Sequence, residues 1–149
     1  MTDRTATPAI SLWQPFASLI FAPEPFRKVH ETRGFILPVG RRGQRHAIHA
    51  SAGWPAAKHI SGPLHRLCVE AFGSAYKYSL PRACVIGTVI LLDCAPTSER
   101  RPASPAEEAA GNWDPDRLAW SLEDPVLLPT PFKAKGRQSW FSVQLPAGI

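Results

Sequence analysis

The sequence predicts a single small α+β domain, in which short strands form a mixed β-barrel with two to three helices at its periphery. Three observations lead to this prediction. A chain of 149 residues can bury one core without disulfides or metals. Sixteen prolines keep the regular elements short. Many segments have the composition of short strands, whereas only two or three have helical spacing.

The N-terminal elements follow from local patterns. Residues 1–9 are polar and are predicted to be a disordered tail, after which Ile10–Leu12 is a short apolar run. Pro15 suits the first turn of a helix over Phe16–Phe21, where the N–H that proline lacks would have no partner. His46–Ser51 alternates like a strand.

The C-terminal elements include the clearest strand of the chain. Residues 55–72 have helical spacing, with a break expected at 61–63. Cys84–Cys94 is β-branched and apolar on both faces, which predicts a central, buried strand. Residues 96–117 are polar and rich in proline and alanine, so we expect a mobile loop insertion with at most a short helix. Three further strands are predicted, at 118–122, 126–128 and 138–145.

Composition narrows the classes of function. The net charge is +5, and the first fifty residues contain seven Lys/Arg against three Asp/Glu. A polyanion is therefore a reasonable partner, although a merely solvated basic surface would give the same charge. No apolar run is long enough to span a membrane, and the N-terminus lacks the apolar core of a secretory signal.

The cysteines favour a reducing compartment. Cys68, Cys84 and Cys94 are odd in number, irregularly spaced and set among apolar residues, which is typical of buried, inert thiols. The expected location is the cytoplasm. No CxxC or HxH pair suggests a metal site, and we expect neither a metal nor another cofactor. The oligomeric state is left open.

Six short motifs together resemble one known family. In chain order they are ISLWQPFASLI, KVHETR, IHAS, GTVILLDC, WSLEDP and KGRQSW. Their order and spacing resemble those of the ASCH (activating-signal-cointegrator homology) family over roughly residues 10–143, and in particular its small, bacterial-type, single-domain members. The family signature is G-x-K-x-x-E-x-R. Lys28, Glu31 and Arg33 match it, whereas Phe26 occupies the glycine position.

The resemblance implies a PUA-like β-barrel, related to domains that bind RNA or read modified bases. We therefore expect binding of RNA, a nucleotide or a modified base. One alternative is a hydrolase acting on RNA or on a modified nucleoside, with Lys28 and Glu31 as the reactive pair. Deacetylating relatives have a threonine at the position of Glu31, which a carboxylate does not replace. A protein-interaction module based on residues 96–117 is the other alternative.

The signature residues combine three useful chemical groups. The guanidinium of Arg33 can bind a phosphate or a base edge in a bidentate manner, and the Lys28 ammonium can contact phosphate. Glu31 can accept a hydrogen bond from an exocyclic amine or act as general acid or base. Glu31 and Arg33 share a face of an extended strand, so Lys28 joins them only if the backbone turns near residues 29–30. A purely structural ion-pair network is the competing interpretation.

Other candidates extend the predicted nucleic-acid contact. Residues at the start of the first helix and at the end of the strand at 46–51 are expected to line the cleft. The resemblance implies that a basic turn near the C-terminus returns to the cleft, where it is expected to contact phosphate. For the aromatic candidate, Trp13, packing in the core is the favoured alternative. Together with the signature residues, these candidates are Ser11, Trp13, Gln14, Ser51, Lys133, Lys135 and Arg137.

Overall fold

The computed structural model describes residues 4–146, which contain six strands and four short α-helices. The strands are β1 (Arg4–Leu12), β2 (His30–Arg33), β3 (Gln44–Ala50), β4 (Cys84–Pro96), β5 (Leu118–Lys133) and β6 (Phe141–Pro146). The helices are α1 (Phe16–Leu19), α2 (Gly62–Phe72), α3 (Tyr76–Ser79) and α4 (Pro105–Ala109). Two 3₁₀ turns cover Val39–Arg41 and Ala57–His59.

All six strands belong to one mixed sheet in the order β2-β5-β4-β3-β1-β6. Strands β1 and β3 are parallel, and the other neighbours are antiparallel. Nη2 of Arg33 on β2 donates to the carbonyl of Ser11 on β1, 3.4 Å away. In a flat sheet these strands would lie roughly 19 Å apart, at about 4.8 Å per strand. The sheet is therefore strongly curled, and the predicted α+β, barrel-like fold with peripheral helices is confirmed.

Strand β4 lies at the centre of the molecule, as its composition predicts. Residues 84–89 are buried, and β4 pairs with β3 on one side and β5 on the other. Gly87 is required there, because a Cβ atom would lie 2.5 Å from the Phe21 ring and 2.6 Å from the Val126 carbonyl oxygen. This close approach lets α1 and the chain after it pack directly on the sheet.

The helices form a second core beside the sheet. Leu64, Leu67 and Cys68 of α2 are buried against α1, α3 and α4. Helix α2 begins where the sequence predicts a break, since Ser61 is its N-cap and accepts a hydrogen bond from the Leu64 amide at 3.1 Å. No helix among the described residues is long and apolar enough to cross a membrane.

Three predictions about element boundaries were wrong. Residues 4–9 are not a tail but part of β1, where they pair with β6; residues 1–3 lie outside the described range. The strands predicted at 118–122 and 126–128 are one strand, β5, because pairing with β4 continues past Asp124, which adopts a φ of 51°. The closing strand begins at Phe141 rather than residue 138.

Candidate functional site

A large open cleft lies where β1, β2 and the helices meet. Its volume is about 1430 Å³. The floor is formed by the end of β1, the start of α1 and residues 28–33. One part of the lining, here called the α2 wall, consists of lining residues between positions 58 and 66. A second part, here called the α4 wall, consists of lining residues between positions 101 and 117.

Lys28, Glu31 and Arg33 converge on the floor of this cleft. Lys28 Nζ lies 3.4 Å from one carboxylate oxygen of Glu31, and Arg33 Nε donates to the other at 2.8 Å. Lys28 joins the other two because it precedes β2, and its backbone N–H donates to Leu19 O of α1 rather than to a strand. Lys28 therefore lies outside the alternation of β2, which begins at His30, and its side chain can reach Glu31.

The cluster is both an ion-pair network and a part of the cleft lining. The side chain of Lys28 is almost fully buried, and its Nζ also donates to Ala110 O at 2.6 Å. Glu31 and Arg33 retain 13% and 24% side-chain exposure. The two sequence interpretations therefore describe the same residues, and solvent reaches the cluster through Glu31 and Arg33.

Aromatic rings extend from Arg33 towards the far side of the domain. The Arg33 guanidinium lies 5.8 Å from the ring centroid of Trp120, which is fully buried. Trp120 and Trp140 are stacked, with centroids 5.7 Å apart and planes inclined by 10°. Arg41 covers Trp140 at 4.2 Å. These contacts restrict the position of the Arg33 guanidinium.

Phe26 replaces the glycine of the family signature without disturbing the cluster. Its backbone N–H donates to Pro23 O at 2.8 Å, which closes a turn before Lys28. Its side chain packs against the helical core that includes Leu19 and Ala22. The position thus accommodates a large side chain by directing it away from Glu31 and into apolar surroundings.

The segment at 96–117 is attached to the domain rather than free, contrary to the expectation of a mobile loop. Glu107 is 3% exposed. One of its carboxylate oxygens accepts a hydrogen bond from the Val29 amide at 2.9 Å, and the other lies 2.9 Å from His30 Nδ1. Trp113 is buried and donates to Glu107 O at 2.9 Å. The polar composition predicted a mobile loop, but polar groups of this segment have buried hydrogen-bond partners that hold it on the domain.

Three predicted contacts lie in the cleft. Ser11 and Ser51 line it, and Ser11 Oγ is 3.0 Å from His49 Nδ1. Trp13 also lines it and is 47% exposed, so it is not a core residue. Its ring lies 5.6 Å from that of His59 in the 3₁₀ turn before α2. Trp13 therefore stands at the junction between the floor and the α2 wall.

Gln14 does not reach the cleft, contrary to prediction. It is fully buried, and its Nε2 donates to Ser18 Oγ at 2.8 Å and to Pro81 O at 2.7 Å. Its Oε1 accepts a hydrogen bond from the Ser18 amide. The amide is thus occupied in connecting α1 to the loop before β4, and it cannot read a base edge.

The predicted contact between the cleft and the basic turn near the C-terminus was also wrong. Among the described residues, the cleft lining does not include Lys133, Lys135 or Arg137. Lys135 and Arg137 instead line a separate, shallower depression beside β6. The segment approaches His49 through its backbone: Ala134 O lies 2.7 Å from His49 Nε2, and a Cβ atom at Gly136 would lie 2.6 Å from the His49 ring. Its backbone supports the floor while its charges point elsewhere.

Four cations of the cleft were not predicted. Lys58 and Arg66 lie on the α2 wall, and Arg101 and Arg117 lie on the α4 wall. Lys58 and Arg66 belong to a segment in which the helical pattern identifies only the apolar face. The α4 wall lies in the segment that composition assigns to a loop. No local pattern in the sequence marks these four residues.

Two of the thiols are inert by burial, as expected. Burial raises the pKa of Cys68 to about 12 and also raises the pKa of Cys84. Cys94 is partly exposed and accepts a contact from Arg42 Nη2 at 3.5 Å. Within residues 4–146, no group of three or more His, Cys, Asp or Glu side chains could hold a metal ion.

Solved structures resemble this fold, whereas no family model and no curated protein matches the sequence. The ASCH protein of Zymomonas mobilis is 18% identical, with a TM-score of 0.54 over 91% of this chain and 86% of that chain. Two single-substitution variants of that protein are 18% and 16% identical, each with a TM-score of 0.53. They cover 91% and 96% of this chain, and 88% and 91% of their own.

The chain has the ASCH fold. On this fold, Lys28, Glu31 and Arg33 meet at the floor of the cleft. The structural match covers up to 96% of this chain, so nearly the whole chain belongs to the shared fold.

Proposed function

We propose that this ASCH domain binds single-stranded RNA or a nucleotide in the cleft, with Lys28, Glu31 and Arg33 as its polar floor. The observation that carries the proposal is the composition of the cleft lining. It contains six Lys or Arg residues but three Asp or Glu residues, and a half-exposed tryptophan lies among them. A basic groove with an aromatic platform is the arrangement that binds single strands.

Trp13 is the proposed stacking platform. Its ring is 47% exposed inside the cleft, whereas the other tryptophan of the lining, Trp113, is 7% exposed. Every base has an aromatic face, so stacking on Trp13 would contribute to the binding of any sequence. Glu31, which lines the same cleft, would accept a hydrogen bond from an exocyclic amine.

The contacts of Lys28 support a binding role over a reactive one. Its ammonium has two acceptors, the Glu31 carboxylate and Ala110 O, and its side chain is 1% exposed. A nucleophilic lysine must present a free amine to its substrate. Here the ammonium contacts both the Glu31 carboxylate and the Ala110 carbonyl of the α4 wall, so the nitrogen is not presented to a substrate. A hydrolase that uses Lys28 and Glu31 is accordingly our second candidate.

Fluorescence anisotropy of a labelled, mixed-sequence RNA strand tests the proposal. We expect binding at 50 mM salt that weakens strongly at 200 mM, because phosphate contacts release counterions. Replacing Trp13 by alanine should weaken binding by roughly 5- to 150-fold, which corresponds to about 1–3 kcal/mol per stacked base.

Tyr78→Ala is the matched control, since Tyr78 is an aromatic residue that is 91% exposed and lies outside the cleft lining. It should bind RNA like the unmodified protein. The proposal is rejected if no RNA binds at 50 mM salt, or if Trp13→Ala and Tyr78→Ala bind equally well. Loss of turnover of an acylated nucleoside in Lys28→Ala would instead favour the hydrolase.

A further inference from the structure

The positive charge of the cleft is not distributed evenly between its two walls. The α4 wall contains Arg101 and Arg117, but also Glu108 and Asp114, so its formal charge is balanced. The α2 wall contains Lys58 and Arg66, and residues 58–66 include no Asp or Glu. The uncompensated charge of the walls therefore lies on the α2 side, next to Trp13.

Most cations of the cleft are already engaged. Lys28 and Arg33 pair with Glu31. Arg101 donates to the carbonyls of Thr97 and Trp113 at 3.1 and 3.0 Å, and Arg117 donates to Thr32 O at 3.0 Å. These bonds fix the four side chains within the domain and use part of their donor capacity.

Lys58 and Arg66 differ from the other four. Within residues 4–146, neither has a hydrogen-bond or ion-pair partner, and both are exposed. Glu70 follows Arg66 by one helical turn but does not lie within ion-pair distance of it. Their donors are therefore available to a ligand, and an ammonium and a guanidinium are the groups that contact phosphate oxygens.

We infer that Lys58 and Arg66 bind consecutive phosphates, so that the sugar–phosphate backbone follows the α2 wall while the bases face Trp13 and the floor. This inference rests on the proposed function and narrows its ligand to a phosphodiester strand rather than a free nucleoside. The α4 wall has no net formal charge and the floor cations are already paired with Glu31, so the unpaired cations of the α2 wall attract phosphate most strongly. His59 lies on the α2 wall, and its ring centroid is 5.6 Å from that of Trp13. Phosphates bound along this wall would therefore lie next to the stacking platform.

The dependence of RNA affinity on salt distinguishes phosphate contacts from other contributions. Each phosphate contact to a single strand contributes about 0.7 to the slope of log affinity against log salt. The double variant Lys58→Ala with Arg66→Ala should therefore have a slope about 1.4 smaller than the unmodified protein. Between 50 and 200 mM salt, the affinity advantage of the unmodified protein should shrink about sevenfold.

The control is Lys77→Ala with Arg82→Ala, which removes the same charge from two exposed residues outside the cleft lining. Its slope should equal that of the unmodified protein. An unchanged slope in the Lys58/Arg66 variant, with RNA still bound, would overturn this inference and leave the proposed function intact. So would an equal decrease in the control, which would indicate long-range charge alone. Absence of RNA binding by the unmodified protein rejects both.

Discussion

Glu31 pairs with two cations at the floor of the cleft, and one of them is almost completely buried. Its two oxygens lie 3.4 Å from Lys28 Nζ and 2.8 Å from Arg33 Nε. Removing one partner of a buried pair leaves an uncompensated charge and costs about 3–5 kcal/mol. Because 13% of the Glu31 side chain is exposed, we expect Glu31→Gln to lower the free energy of unfolding by about 3 kcal/mol, at the low end of that range.

Urea-induced unfolding measures this loss, and Glu24→Gln is its control. Glu24 pairs with Arg27 at 3.7 Å, but its side chain is 72% exposed, so its loss should cost well under about 1 kcal/mol. Adding Lys28→Met to Glu31→Gln removes the stranded charge and should restore part of the stability. Equal losses in the two single variants would contradict this account of the cluster.

The sequence predicted which residues belong to the site better than it predicted where their side chains point. Lys28, Glu31 and Arg33 could be found because they match the ASCH signature that the sequence resembles, and they place three complementary charges within six positions. Gln14 could not be excluded from the cleft, because its partner Pro81 is 67 positions away in the chain. Trp13 could not be distinguished from a core aromatic, because its exposure and its contact with His59 depend on tertiary packing.

Helix α4 has five residues and depends on tertiary contacts to hold its place. Such a short helix has little stability of its own. Glu107 attaches it to β2 through the Val29 amide and His30, and Ala110 O accepts from Lys28 Nζ. Replacing Glu107 by alanine leaves a buried N–H without its acceptor, which costs about 1–3 kcal/mol.

We therefore expect Glu107→Ala to increase amide hydrogen exchange across residues 104–113 more than in β3 or β4. Glu108→Ala is the matched control, because Glu108 lies on the same helix, and its side chain has no bonded partner among the described residues. It should leave exchange near the unmodified level. Uniformly faster exchange in Glu107→Ala would indicate global destabilisation and would contradict a local anchoring role.

Elements were predictable where one local signal dominated. Strand β4 is apolar on both faces, and α2 begins at a serine N-cap followed by Pro63, so both were found. Strand β5 was divided in two because Glu123-Asp124-Pro125 resembles a turn. Pairing with β4 along its length overrides that signal, and Asp124 tolerates the positive φ that results.

The cleft is a property of the whole molecule rather than of any segment. Its lining comes from positions 11 to 117, and it forms because the curled sheet brings β2 to β1. Charge counts along the sequence locate the basic excess in the first fifty residues. The free cations of the cleft, Lys58 and Arg66, lie outside that region. Only the fold determines which basic residues share a surface.

Stability of the whole domain should depend on pH through His46. His46 is fully buried on β3, its Nδ1 lies 3.0 Å from Gln44 O, and its Nε2 has no hydrogen-bond partner among the described residues. Burial lowers the pKa of His46 below its usual 6.5; the Gln44 carbonyl opposes this shift and the charge of Arg41 adds to it. The unfolded chain therefore takes up this proton at a higher pH than the native protein.

The free energy of unfolding should accordingly fall as the pH drops below about 6.5. For this one group the decrease is at most about 1.4 kcal/mol per pH unit, and it ends once the pH reaches the lowered pKa of His46 in the native protein. His46→Phe keeps an aromatic ring beside Trp140, whose centroid is 5.4 Å away, and removes the titrating group. Urea unfolding of both proteins between pH 7.5 and 5 should give a shallower decline for His46→Phe. The other histidines are common to both proteins, so their contributions cancel in the difference. Parallel curves would mean that His46 is protonated equally in the native and unfolded states.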